Sequence, residues 1–263
     1  MKAVARRFSR AAATYDRSAV VQKQSARQLV SLLSTTLASI PAAAASSRAQ
    51  RVLEVGCGSG QLTELLVATL PNAEIEAIDV APRMVELARR RDELREVQFS
   101  IQDVREFKTT KPFDLIISNS TLQWISPLHD ALAPLAASLL ARGRLYFAVM
   151  LRGTLEELIA IRNEVAPHKA RRELPTAADV AAALAKCGLK LLSTNSEVFS
   201  SAHADVQQLF ESLREQGVTA PAARETLLTR SELRQLGALY QSRYQTVNIT
   251  ANFEVGYFVA ERC

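Results

Sequence analysis

The chain has 263 residues, 48% of them hydrophobic, and its 32 Lys and Arg against 27 Asp and Glu leave a net charge of +5. That length fits one large domain, and that apolar share can supply its core. No apolar run approaches the ~20 residues of a membrane helix, and no apolar stretch follows the basic start Met1–Phe8 as in a secretory signal.

The three cysteines, Cys57, Cys187 and Cys263, are odd in number and match no metal or disulfide pattern. The histidines, His129, His168 and His203, are scattered, so no metal site is expected. A reducing, cytoplasmic setting follows. The positive charge favours acidic partners. Nucleic acid is not expected, because only 6% of residues are aromatic and no nucleic-acid-binding motif is present. A membrane partner is not expected either.

Residues 1–39 carry an apolar stripe through Val20, Val21, Ala26, Leu29, Val30, Leu33 and Leu37 at helical spacing, and 41–47 read as a small-residue linker. Strands are then predicted at 51–55, 74–80, 97–101, 113–119 and 144–150. Helices are predicted between them at 60–70, 81–94 and 128–140. Pro82 falls in a first helical turn, where proline is tolerated. Beyond Met150, Thr154-Leu155-Glu156-Glu157 predicts a capping box opening a helix, and 176–187 a helix closed by Gly188. A strand at 189–197, helices at 202–216 and 230–244, and a last strand at 253–260 complete the chain. This alternation predicts an α/β domain with a doubly wound, mostly parallel seven-stranded sheet and helical lid insertions. It divides into a helical N-terminal cap and linker (1–45), a core (48–150) and a second half (151–263).

Chemistry concentrates between Glu54 and Trp124. Glu54-Val55-Gly56-Cys57-Gly58-Ser59-Gly60 joins the first strand to its helix, where glycines permit a tight turn and close approach of a ligand. The third glycine stands one residue too early for a dinucleotide fingerprint, and no P-loop lysine follows. A glycine loop behind an acid suits a ligand with an amino-acid end and a nucleoside end. Asp79 ends the second strand, placed either to accept from both ribose hydroxyls or to cap the helix after it. Asp103 closes the third strand, either receiving an adenine amino group or serving as a satisfied loop aspartate. Ser118-Asn119-Ser120-Thr121-Leu122-Gln123-Trp124 ends the fourth strand, where polar groups face the ligand crevice of open α/β sheets. Trp124, the one tryptophan, is either a site residue or a packing residue.

The loop together with Asp79, Asp103 and Asn119 resembles the motifs of class I S-adenosylmethionine methyltransferases. Phe8-Ser9-Arg10-Ala11-Ala12-Ala13-Thr14-Tyr15-Asp16, Gln22-Lys23-Gln24, the 118–124 segment, Gly153–Leu158 with His168 downstream, and Leu228–Leu233 narrow this. They are similar to the malonyl-acyl-carrier-protein O-methyltransferase family of biotin synthesis. The resemblance implies S-adenosyl-L-methionine as cofactor. It would be held by Glu54, Gly56, Cys57, Gly58 and Gly60 at the methionine end, Asp79, Val80 and Met84 near the ribose, and Asp103, Val104 and Asn119 beyond. Tyr15, Gln123, Trp124 and His168 are the positioning candidates. The chain departs from the family at Ala141-Arg142-Gly143 and at Asn248–Asn252, and the latter segment is a candidate lining of an acyl pocket.

The implied reaction methylates the free carboxylate of malonyl-acyl-carrier protein or malonyl-coenzyme A. A carboxylic acid with a pKa of roughly 4 is already ionised at neutral pH, so no general base is required. The alternatives are a related small-molecule methyltransferase, acting on trans-aconitate or a quinone precursor, and a non-catalytic assembly factor. The N-terminal cap is expected to be a lid, with Tyr15 and Gln22 facing the ligands, whose removal to residue 40 leaves the core folded. Arg171 and Arg172, rather than the solvated cluster Arg89–Arg91, are the expected docking site for an acidic carrier.

Overall fold

The computed structural model describes residues 1–38, 49–169, 173–218 and 228–263; the linker at 41–47 and the pair Arg171 and Arg172 lie outside the described residues. Two helices come first, α1 (Lys2–Ser18) and α2 (Val20–Ala38). The core alternates β1 (Arg51–Val55), α3 (Gln61–Thr69), β2 (Glu74–Asp79), α4 (Pro82–Arg89), β3 (Gln98–Ile101), β4 (Phe113–Asn119), α5 (His129–Ser138) and β5 (Leu139–Met150). The second half adds α6 (Glu156–Val165), α7 (Ala177–Lys186), β6 (Leu189–His203), α8 (Val206–Glu215), α9 (Arg230–Tyr244) and β7 (Ile249–Arg262).

The seven strands form one sheet in the order β3-β2-β1-β4-β5-β7-β6. β1 to β5 pair in parallel, and β7 runs antiparallel between β5 and β6. Alternate strand residues face opposite sides. Val52, Ile117, Tyr146 and Tyr257 pack with α2, α3, α6, α8 and α9. Leu53, Ile116, Phe147 and Phe258 pack with α5 and α7. Both faces are therefore covered, as a mostly parallel sheet requires.

Several expectations are corrected. The N-terminal helix breaks at the buried Ala19, so α1 turns away from α2. α2 is no detachable lid: Leu29, Val30 and Leu33 are buried in the main core, so truncation to residue 40 would open that core. The helix at 81–94 ends at Arg89 and resumes as a short 3-10 turn at Asp92–Leu94. The Ala141-Arg142-Gly143 variant lies inside β5, with Arg142 at φ +62 and no room for a Cβ on Gly143, which would sit 2.8 Å from the Leu140 carbonyl. Thr154 forms no capping box. Its hydroxyl and the Glu254 backbone bond to each other in both senses, and Leu155 opens α6 at φ +56. Residues 202 and 203 extend β6, and α8 is capped instead by Asp205. β6 and β7 outrun their predicted lengths because they pair with each other over most of their course.

Candidate active site

Strand order reverses between β1 and β4, which opens a crevice at the carboxyl ends of the parallel strands. A cavity enclosing about 610 Å³, part of it open to solvent, occupies this crevice. Its walls come from Val55, Gly56 and Gly58 at and after the end of β1, Asp79 and Val80 at the end of β2, Gln102 and Val104 after β3, and Asn119, Ser120 and Thr121 at and after the end of β4. Met1, Val4, Phe8 and Tyr15 of the α1 segment form the roof.

The glycine loop is held open by backbone geometry. Gly56, Gly58 and Gly60 have φ of +77, +53 and +90, a region costly for side chains. A Cβ on Gly56 would sit 2.0 Å from Thr121 Oγ1, so β1 and β4 could not approach as they do. A Cβ on Gly58 would meet only the Tyr15 ring edge, at 4.0 Å, inside the cavity. Gly60 is needed against Leu94, not for the cavity wall. Cys57 likewise faces away, packing with Ala77, Val85 and Ala88, and burial pushes its thiol up.

Asp79 does two things at once. Its carboxylate accepts from Gly58 N–H at 2.9 Å and Ala81 N–H at 2.8 Å, tying the loop to the start of α4. It also lines the cavity. Burial raises its pKa, and the N–H donors of Ala81, Gly58 and Val80 work against that rise. Glu54 is 1% exposed and faces the Thr63 hydroxyl of α3, with neither carboxylate oxygen in a hydrogen bond of ordinary length and angle. Burial pushes its pKa up to about 8; the Thr63 hydroxyl opposes the shift and the charge of Asp79 adds to it. It stands behind the loop, outside the cavity wall.

Ile78, Val80, Met84, Val104 and Ile125 add apolar side chains to the cavity wall. Asp103 does not enter it. The Arg105 side chain, two residues on, donates to both its carboxylate oxygens, and Gln102 faces the cavity instead. Asn119 lines the cavity, and its amide is fixed by Ser25 Oγ donating at 2.7 Å and by its own donation to the Gln22 carbonyl at 2.9 Å. Gln22 itself is buried against Gln216 and does not face the cavity. Ser120 holds φ +53 with its hydroxyl buried and unpartnered, a strained conformation of the kind found at ligand sites. Gln123 is buried, donating to the Ser120 carbonyl, and props the wall without lining it.

The roof is latched. Tyr15 and Trp124 both line the cavity and meet Phe8 edge-on, with centroids 6.2 and 5.6 Å from it. Burial, then the charges of Asp79 and Asp16, raise the Tyr15 phenol, which stays protonated. Asp16 accepts from Ser59 Oγ, from Gln61 Nε2 at 2.6 Å and from Arg91 Nη2 at 2.7 Å. Arg91 also donates to the Ser59 carbonyl at 2.7 Å. In the arginine cluster Arg89 and Arg90 lie exposed, Arg90 pairing with Glu86 and Arg89 donating to the Phe99 carbonyl, whereas Arg91 turns inward and joins lid to loop. Asp16 and Arg91 were not singled out by spacing, because the pair spans 75 residues.

His168 is exposed on the turn after α6 and is not part of the cavity wall. Asn252 donates to Glu157 and accepts from Ser200, also away from the cavity. Among the described residues no group of His, Cys, Asp or Glu could hold a metal ion, and no helix is long and apolar enough to cross a membrane.

Residues 52–143 match the family described as methyltransferase domain. The chain is 40% identical over 153 residues to the malonyl-[acyl-carrier protein] O-methyltransferase of Bacillus cytotoxicus, covering 58% of this chain and 51% of that one. It thus spans about half the length of that relative. It is 32% identical over 240 residues to the protein of the same name from Herminiimonas arsenicoxydans, covering 89% of this chain and 85% of that one. The solved magnesium protoporphyrin IX methyltransferase of Synechocystis PCC 6803 superposes with a TM-score of 0.56 at 16% identity, covering 92% of this chain and 83% of that one. The fold is that of the class I S-adenosylmethionine-dependent methyltransferases. On its likeness to the Herminiimonas protein along most of both chains, this chain belongs to the malonyl-[acyl-carrier protein] O-methyltransferase family.

Proposed function

We propose that this chain transfers a methyl group from S-adenosylmethionine to the free carboxylate of a malonyl thioester carried by acyl-carrier protein, an early step of biotin synthesis. One observation carries the choice of acceptor. Among the side chains lining the cavity, Asp79 and Tyr15 alone titrate. The first is tied to two backbone N–H groups and the second is a phenol kept protonated. An amine, hydroxyl or carbon acid would need a base to become a nucleophile. A carboxylate is ionised already.

The residues present fit the cofactor. The apolar wall at Met84, Val104 and Ile125 suits an adenine ring, and Asp79 has acceptor capacity left for ribose hydroxyls. The buried Glu54 carboxyl behind the loop, protonated at neutral pH in the ligand-free protein, would be drawn to its ionised form by a cationic amino or sulfonium group nearby. When bound, the cofactor supplies an electrophilic methyl on sulfur. The chain's own part is to orient the acceptor and exclude water. Tyr15 and Trp124 close the roof, and Ser120 is placed to donate its unpartnered hydroxyl to an acceptor oxygen. Turnover of malonyl against acetyl thioester tests this reading. The malonyl substrate should react with a kcat that is flat between about pH 6 and 8, well above a carboxylic acid's pKa, and the acetyl substrate, lacking the carboxylate, should not. Equal turnover of both, or a tenfold rise in kcat per pH unit, would overturn it.

A further inference from the structure

The chain's positive charge is not spread evenly. α1 carries five basic residues, Lys2, Arg6, Arg7, Arg10 and Arg17, and one acid, Asp16. Its surplus of four accounts for most of the net charge of five. Two of the five are engaged: Arg7 lies over the Trp124 ring at 4.9 Å, and Arg17 pairs with Glu215 at 3.5 Å. Lys2, Arg6 and Arg10 are exposed and form no ion pair among the described residues. They stand at i, i+4 and i+8, a single row of about 12 Å along one helix face. This row walls a groove of about 830 Å³, open to solvent, whose far side is Val80 and Pro82. Val80 is also a wall of the main cavity, so the groove and the cavity are neighbours across one side chain.

We propose that this outer face of α1 is where the acidic surface of the acyl carrier docks, a reading that rests on the proposed function. The same helix presents Val4, Phe8 and Tyr15 to the cavity on its inner face. A carrier seated on Lys2, Arg6 and Arg10 therefore presses the lid onto the bound ligands and stands at the cavity rim. Cations at a rim act mainly by steering encounter and are screened by salt. The groove between them offers only Ala5, Ser9, Val80 and Pro82, with no aromatic platform for bases.

The test compares wild type with Arg6→Glu/Arg10→Glu on malonyl-acyl-carrier protein and malonyl-coenzyme A. At low salt, kcat/KM for the carrier substrate should fall about tenfold more than kcat/KM for the coenzyme A substrate, as reversal of two exposed charges predicts. The difference should shrink at high salt. Equal losses on both substrates, or no loss on the carrier, would overturn the docking surface. Arg6→Gln/Arg10→Gln, which adds no repulsion, should show a smaller selective loss of about threefold. Direct binding of malonyl-acyl-carrier protein, followed by fluorescence anisotropy, separates the two readings. Turnover of neither thioester by wild type would overturn the function. Absence of carrier binding by wild type, or binding unchanged in the charge-reversed variant, would overturn the docking face.

Discussion

Replacing Asp16 with alanine should open the lid. Its carboxylate receives three side-chain donors, from Ser59, Gln61 and Arg91, which join the end of α1 to the glycine loop and the start of α3. Hydrogen bonds to a charged group are worth about 1.5–3 kcal/mol when buried. Here the Asp16 and Arg91 side chains are 47% and 27% exposed, so solvent competes. A discounted value of about 0.5–1 kcal/mol per contact is appropriate, or roughly 2 kcal/mol in all. Since about 1.4 kcal/mol is tenfold in an equilibrium constant, the closed lid loses up to roughly thirtyfold in population. Affinity for S-adenosylhomocysteine by calorimetry should then drop by up to about thirtyfold where the open form predominates in the ligand-free protein, and by less where the closed form is in excess. Amide exchange along α1 should quicken in the same variant. Asp16→Asn, which keeps an acceptor for Ser59 and Gln61 but loses the charge facing Arg91, should fall between. Affinity within twofold of wild type with unchanged α1 protection would refute the latch.

Asp79→Ala should weaken S-adenosylhomocysteine binding by at least about tenfold, since charge-assisted bonds worth about 1.5–3 kcal/mol are lost; a loss under threefold in a folded protein would reduce Asp79 to an anchor for Gly58 and Ala81. Gly56→Ala should destabilise by about 2–4 kcal/mol, because a Cβ 2.0 Å from Thr121 Oγ1 at φ +77 forces loop and strand apart, and a melting shift equivalent to less than 1 kcal/mol would contradict the packing. Glu54 sets a pH dependence in the ligand-free protein. Its folded pKa of about 8 lies above the ordinary 4.5, so stability is intact below about pH 4.5 and is lost as pH rises through 8. Glu54→Gln should remove that decline, worth at most about 5 kcal/mol at about 1.4 kcal/mol per pH unit. Parallel denaturation curves of the two proteins from pH 5 to 8 would refute it.

The parts of the fold legible in sequence are those encoded locally. The apolar run Leu115-Ile116-Ile117 marks β4 because both faces of that strand are buried, and the glycine spacing marks a loop whose positive φ values only glycine tolerates cheaply. What sequence reading missed depends on partners distant in the chain or on competition between near ones. Thr154 fits a capping box by spacing, yet its hydroxyl is claimed by β7 a hundred residues later. Asp103 closes β3, where the resemblance implies an adenine contact, yet its carboxylate is paired with Arg105 two residues on. Asp16 looked like one member of an N-terminal motif, and its role emerges only when α1 folds over the loop and meets Arg91. The cationic row on α1 is present in sequence at i, i+4 and i+8, but only the fold separates the exposed Lys2, Arg6 and Arg10 from Arg7, over Trp124, and Arg17, paired with Glu215.

The central claim is methyl transfer to a carboxylate that needs no base, in the cavity under α1. Its most direct test is to incubate the protein with methyl-labelled S-adenosylmethionine and malonyl-acyl-carrier protein, then locate the label by mass spectrometry. The account predicts one labelled methyl group per malonyl unit, as an ester on the free carboxyl, removed by mild alkali. No transfer, or label on an amine, hydroxyl or carbon of the substrate, would contradict it.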